Sequence, residues 1–311
     1  MNWIPLITYA SVAVVVIGVI AKILKYKNMP IHLRWELYPV PHEKGKGHYG
    51  GSFLEEFEWW KQKREHSAMA DLAVMIPEIL FLKGVWEHNR SQWVRSFPFH
   101  FGLYMLIGLI VLLIAGGIAQ ATGTTVSAEG GFFGMAIYHL TYVVGWIGLS
   151  LALLGSVLLL GRRIFNVNYA EYTKGADYFN LLFFVVTLAV ALGAHATTDP
   201  YFVGIRAFYQ QLVTFDLAAE GGVAFNLMTA AIVLSSLLAA YIPLTHMSHF
   251  VGKFFMYHDI RWADEPNMPG SEIEKKIGEV LQSPVSWTAP HIRGDGKVTW
   301  AEVATSGVEK E

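Results

Sequence analysis

The sequence predicts an all-α integral membrane protein: a five-helix transmembrane bundle with its N-terminus outside and its C-terminus cytoplasmic. Three observations carry that prediction. Of 311 residues, 53% are hydrophobic and 15% charged, whereas a soluble domain carries about a quarter charged residues. Five stretches lack Asp, Glu, Lys and Arg for long enough to cross a ~30 Å hydrocarbon core. Lysine and arginine also crowd onto alternate connecting segments, which sets the orientation of the bundle.

In chain order the stretches are Trp3–Ala21, Phe97–Ala119, Phe132–Leu160, Tyr178–Ala196 and Val223–Thr245. Met1–Pro5 has no basic start and no small-residue cleavage site follows it, so the first stretch reads as a retained span rather than a signal peptide. Met69–Phe81 is too short to cross and carries Asp71, Pro77 and Glu78. It is expected to be an interfacial or partner-facing helix. The segments Lys22–Ser96, Gly161–Asp177 and His246–Glu311 hold 12, 3 and 7 of the 23 basic residues, and the opposite side holds only Arg206. Those three segments are therefore cytoplasmic, and the chain is expected in the inner (cytoplasmic) membrane as a multi-pass protein.

Two cytoplasmic segments are large. The first loop is rich in Trp, His and charge, and the tail beyond Val251 is soluble in composition. The tail includes an expected helix, Ser271–Leu281, followed by SWTAPHIRGDGKVTWAEV. Its GDGKVTWAE has the look of the back half of a calcium loop. The first two ligand positions would fall on His291 and Arg293, which supply no carboxylate, so calcium is rejected. Both segments read as docking surface for a soluble subunit, with a merely solubilising tail as the alternative.

The chain contains no cysteine. Disulfides, thiolate zinc sites, covalent c-type heme and chain-held iron–sulfur clusters are thereby excluded, and a redox metal would have to hang on His, Met or carboxylate. Five of the twelve histidines lie in or at the ends of the spans. His100, His246 and His249 are at the cytoplasmic end; His139 and His195 are at the outer end. Histidine in lipid is costly and usually functional. Imidazoles from facing helices make a bis-His heme site, and the two layers are ~20 Å apart at ~1.5 Å per residue. His246 and His249 share a helical face. Only one is needed on iron, and the other would bond a propionate or face a partner.

The run LLLGRRIFNVNYAEYTKGADYFNLLFFVVTLAVALG (Leu158–Gly193) closely resembles the third-loop region of the respiratory nitrate reductase gamma subunit. The resemblance spans about Phe97–Phe255 and implies a diheme b-type cytochrome exchanging electrons between quinone and a cytoplasmic iron–sulfur subunit. It makes His100 the cytoplasmic-side heme ligand on the second helix and His249, six residues after Pro243, its partner. The usual second pair falls here on Ile110 and Ala231, so His139 and His195 are expected to replace it. Gly134, Gly145 and Gly148 are expected to give the porphyrin close backbone access.

The first loop (MPIHLRWELYPVPHE) and the tail look more like the cytochrome b subunits of sulfate-reducer transmembrane redox complexes, nearest the Tmc type with the Dsr and Hmc types as relatives. That resemblance implies a heterodisulfide-reductase-like iron–sulfur partner and a periplasmic multiheme cytochrome c.

The expected organisation is a first transmembrane helix (1–24), a cytoplasmic loop with an interfacial helix (25–96), a four-helix heme-binding core (97–250) and a partner-docking tail (251–311). Two heme b and menaquinone are the implied cofactors, and no substrate chemistry belongs to the chain itself. A quinone site would lie beside the outer heme, where Asp199, Arg206, Asp216 and Glu220 would handle protons. Two rival readings remain open. One is a single-heme chain with His139 and His195 as quinone ligands, and the other a heme-free proton-coupled transporter with a histidine relay.

Overall fold

The computed structural model describes residues 3–28, 56–62, 67–217, 226–252, 269–289 and 292–306. Among the described residues, five helices are long and apolar enough to span a membrane: α1 (Trp3–Lys27), α4 (Arg90–Ala121), α5 (Phe132–Phe165), α7 (Gly175–Thr198) and the run Leu227–Leu244, which begins as α9 (Leu227–Tyr241). The protein is an all-α, multi-pass membrane bundle. Shorter helices join them: α2 (Ala68–Phe81), α3 (Lys83–His88), α6 (Val167–Ala170) and α8 (Val203–Val213).

The first four spans outrun their charge-free stretches. Charge marks where lipid ends, not where the helix ends, and nothing breaks α4 until Asn89, whose side chain accepts the Gln92 amide at 3.0 Å as an N-cap. α5 continues through Arg162 and Arg163, with Arg162 held by Gln92 and Tyr169. At the start of α7, the Asp177 carboxylate accepts the Lys174 amide at 3.0 Å. Asn226 caps α9 by accepting the Thr229 amide at 2.8 Å. Pro243 converts its end into a 3₁₀ turn, as a residue without a backbone donor must.

The chain divides into two compact units, Met1–Gly18 with Val74–His246, and Val19–Ala73 with Met247–Glu311. In the first, α4 and α5 are the closest pair. α7 lies against α5 and α9, and α8 covers α4. Small residues set the α4–α5 distance: a methyl built on Gly102 would lie 2.7 Å from Ala152 Cα, and one on Gly155 2.5 Å from Phe99 Cα. Close backbone approach through glycine is how membrane helices associate where burial of apolar surface drives nothing. α1 joins through Tyr9, which donates to the Leu212 carbonyl at 2.7 Å, and Thr8, which meets Ser236 at 3.2 Å.

In the second unit Lys22 donates to Ser248, and a short helix, α10, occupies the described residues 249–252. The tail is folded. Ser271 caps α11 (Glu272–Leu281), and β1 (Thr288–Ala289) pairs antiparallel with β2 (Ile292–Arg293). Val285, 1% exposed, donates to the Val298 carbonyl at 2.8 Å. α12 (Trp300–Thr305) opens with a Thr299–Glu302 capping box. The Asp295 carboxylate, in the stretch with the look of a calcium loop, accepts the Lys297 and Val298 amides.

Candidate functional site

His100 and His195 each have a defined tautomer. His100 sits on α4 with Nδ1 2.8 Å from the Ser96 carbonyl, one turn back. A carbonyl can only accept, so Nδ1 carries the proton and the lone pair of the neutral ring is on Nε2. His195, near the C-terminus of α7, has Nδ1 3.0 Å from the Asp199 carbonyl, with the same consequence. Metal-bound histidines are commonly oriented in this way, by an Nδ1–H bond to backbone or carboxylate.

His195 is 6% exposed, and its ring stacks on Phe202 at 4.1 Å and 25°. Phe202 is fully buried, takes a left-handed φ of 58° and presses on Gly145, where a built methyl would lie 2.7 Å from its Cε1. Asp199 ties the turn together: its carboxylate accepts the Gly204 amide at 3.0 Å and the Ile205 amide at 2.9 Å. It thus caps α8, where negative charge meets the positive end of the helix.

One turn into α8, Arg206 has no exposed surface. Its Nη1 donates to the Val126 carbonyl at 3.3 Å and its guanidinium lies 5.6 Å over the Tyr138 ring. Its Nε and Nη2 have no hydrogen-bond partner, and neither do the buried Gln120 Oε1 on α4 and Gln211 Nε2 on α8. Burial draws the Arg206 pKa down, with the Asp199 carboxylate and Tyr138 opposing that shift. On the same helix, burial pushes the Tyr209 hydroxyl up to about 12.

His139, by contrast, is exposed on α5, with its ring edge-on to Tyr138 at 5.2 Å. It lies on the flank of the surface that α5 presents to Phe202, and it shares no hydrogen bond or ring contact with His195. The glycines expected to admit a porphyrin are already covered. The Thr125 backbone lies over Gly134, the Phe202 ring over Gly145, and Met105 with Leu106 over Gly148. These glycines serve chain packing here, a use that sequence spacing does not separate from cofactor access.

His246 and His249 differ. His246 Nε2 lies 3.3 Å from Asp177 Oδ1, and the same carboxylate faces Arg163 at 3.8 Å. His249 opens α10 in the second unit. Of the quinone-side candidates, Asp199 is engaged in capping, Arg206 keeps orphaned donors, the Asp216 amide donates to the Gln211 carbonyl, and Glu220 lies outside the described residues. The first-loop motif beginning at Met29 also lies outside them. Sequence reasoning passed over Phe202, Gln120 and Gln211. Gln120 and Gln211, polar residues beside the ends of apolar helices, were the available signal.

Among the described residues, no three or more His, Cys, Asp or Glu converge in a group that would hold a metal ion. No protein-family model matches the chain, and no solved structure does. The chain is 24% identical over 279 residues to the Hdr-like menaquinol oxidoreductase cytochrome b-like subunit of Archaeoglobus fulgidus, an alignment covering 80% of this chain and 76% of that protein.

Proposed function

We propose that this chain is a b-type cytochrome, the membrane electron-transfer subunit of a menaquinol-linked oxidoreductase with a heterodisulfide-reductase-like iron–sulfur partner on the cytoplasmic side. The observation that carries the reading is the pair of histidines at opposite bundle ends, each with Nδ1 committed to a backbone carbonyl and its lone pair on Nε2. The similarity to the archaeal cytochrome b-like subunit supports the same class. The N-terminus is outside, as the basic residues argue.

Heme, when bound, supplies one-electron carriage at a potential set by its axial ligands. The chain's own residues supply the rest. Ser96 holds the His100 ring in its ligating tautomer, and His249, six residues after Pro243, is the opposing cytoplasmic ligand that the nitrate reductase gamma resemblance implies. At the outer end His195 is held by the Asp199 carbonyl and braced by Phe202, and His139 would complete the second heme from the exposed flank of α5. Arg206 is the favoured contact for a menaquinone oxygen, since Nε and Nη2 point donors at no acceptor. A periplasmic multiheme cytochrome c would approach this same outer end.

A single-heme form is the second reading. It is favoured by the Phe202 ring that covers Gly145. A heme count on the purified full chain, by pyridine hemochrome against protein, decides between the two. Two hemes in the parent and one in His139→Ala and His195→Ala support the diheme form. One heme in the parent, lost in His100→Ala and His249→Ala alone, supports the second. Absence of any heme spectrum from the parent chain would leave the proton-coupled transporter.

A further inference from the structure

The last turn of α2 finds its hydrogen-bond partners within the chain. A helix leaves its final four carbonyls without intrahelical partners, and two on this helix are met by side chains of α4. The Ile79 carbonyl accepts the Tyr104 hydroxyl at 2.7 Å, and the Phe81 carbonyl accepts Trp93 Nε1 at 2.7 Å. The Glu78 carboxylate is folded back onto the Gly84 amide at 2.7 Å. The apolar side chains of the same stretch are outward: Ile76, Ile79, Leu80 and Phe81 are 42–53% exposed. Polar groups satisfied internally, with apolar groups outside, is the arrangement that hydrocarbon imposes and water does not.

Depth agrees. Tyr104 is nine residues beyond Arg95, the last charged residue of α4 before its apolar stretch, or ~14 Å along the helix. The stripe of α4 beside α2 is aromatic: Trp93, Phe97 and Phe101 stack in series at 4.5 and 5.4 Å, Trp86 of α3 meets Trp93 edge-on at 4.7 Å, and Arg90 lies over Trp86 at 4.8 Å. Trp with a flanking cation is typical of the headgroup boundary. Three and seven residues beyond Tyr104, the same stripe carries Ile107 and Val111, the most exposed residues of the α4 span at 61% and 60%. The surface at α2 is thus continuous with the lipid-facing surface of α4.

We infer that the Val74–Phe81 half of α2 is embedded among the lipid acyl chains of the leaflet next to the basic segments, as a half-helix anchored to α4. Its partner is lipid, not water and not a protein subunit. The inference does not depend on heme.

The lack of native cysteine makes the test clean. Ile76→Cys and Leu80→Cys would each be spin-labelled in the full chain, in vesicles, and their collision rates with oxygen and with a polar nickel chelate compared. Ile107→Cys and Glu87→Cys serve as lipid and solvent references. Oxygen-over-nickel ratios at 76 and 80 matching that at 107 are expected. Nickel access like that at 87 would overturn the inference in favour of water, and exclusion of both reagents would overturn it in favour of a protein cover. Hydrogen exchange of the unmodified chain in vesicles gives a label-free check. The amides of 74–81 should exchange as slowly as those of the spans, and exchange as fast as in 56–62 would refute the embedding.

Discussion

The closest backbone approach in the bundle yields a quantitative expectation. Gly102 faces Ala152 and Gly155 faces Phe99, a reciprocal pair in which each glycine lies three residues from the backbone that the other helix presses on. Alanine at either position places a methyl 2.7 Å from Ala152 Cα or 2.5 Å from Phe99 Cα, where ordinary contact begins at 3.4 Å. The obstacles are main-chain atoms that no rotamer change can move, so α4 and α5 must part by roughly 0.7–0.9 Å. Overpacking of this kind costs about 1–3 kcal/mol, against a gain of about 1 kcal/mol from the better helix propensity of alanine. Gly161 on α5 is the control, since its built methyl meets nothing nearer than 3.9 Å and only the gain applies. Gly102→Ala and Gly155→Ala should therefore unfold about 1–3 kcal/mol more easily than Gly161→Ala, read by SDS titration of the detergent-solubilised chain. Equal stability of all three would refute the stated helix separation.

Other expectations follow from single contacts. His246→Ala should keep the cytoplasmic heme spectrum and His249→Ala should lose it, since His249 holds the position that the family resemblance gives to the ligand; the reverse result would exchange their roles. Arg206→Met removes a buried cation with two orphaned donors, so thermal stability should hold or rise, by up to about 1–4 kcal/mol, while menaquinol-driven reduction slows; a sharp loss of stability would make Arg206 structural. Bonds from the Thr299 amide and hydroxyl hold the Glu302 carboxyl below its ordinary value of 4.5. The stability this lends α12 is present above that value and lost as pH falls through the lower folded one. An acid-side change in tryptophan fluorescence should thus be blunted in Glu302→Gln. Trp287, 47% exposed beside Trp300, should anchor the iron–sulfur subunit. Trp287→Ala should weaken its retention on membranes and deletion of Ser286–Glu311 abolish it; full co-purification after both would make the tail solubilising only.

The five spans were legible because absence of charge over about twenty residues is a bilayer-scale signal. Their ends were not, because α4 and α5 run on into water under ordinary helix capping. α8 escaped sequence reading because it is short, amphipathic and lies in a loop. Its start depends on Asp199 capping and on a left-handed Phe202, an uncommon conformation for a bulky residue. Ser271–Leu281 was foreseen within one residue, because Ser followed three residues later by Glu is a local start signal. At the site, sequence depth sorted the histidines into two ends. It did not foresee that His195 is buried and His139 exposed, since facing direction depends on which neighbour α5 meets. The glycine expectation went the other way for the same reason: glycine reports close approach, and here the approaching groups are Phe202, Leu106 and the Thr125 backbone.

A single constraint connects these outcomes. In a low-dielectric bundle an unpaired polar atom is costly, so the chain matches most of its own. Ser96 takes the His100 proton, Asp199 takes that of His195 and two amides, and Tyr104 and Trp93 take the carbonyls of α2. Against that background the buried unmatched atoms are informative by position. Four of the five among the described residues belong to Gln120, Arg206 and Gln211, on facing parts of α4 and α8, and the fifth is the Thr187 hydroxyl in α7. The unmatched atoms on α4 and α8 are of both kinds: Arg206 Nε and Nη2 and Gln211 Nε2 are donors, and Gln120 Oε1 is an acceptor. Among the residues proposed for the quinone side, Arg206 thus keeps donors to offer, whereas the Asp199 oxygens already have partners.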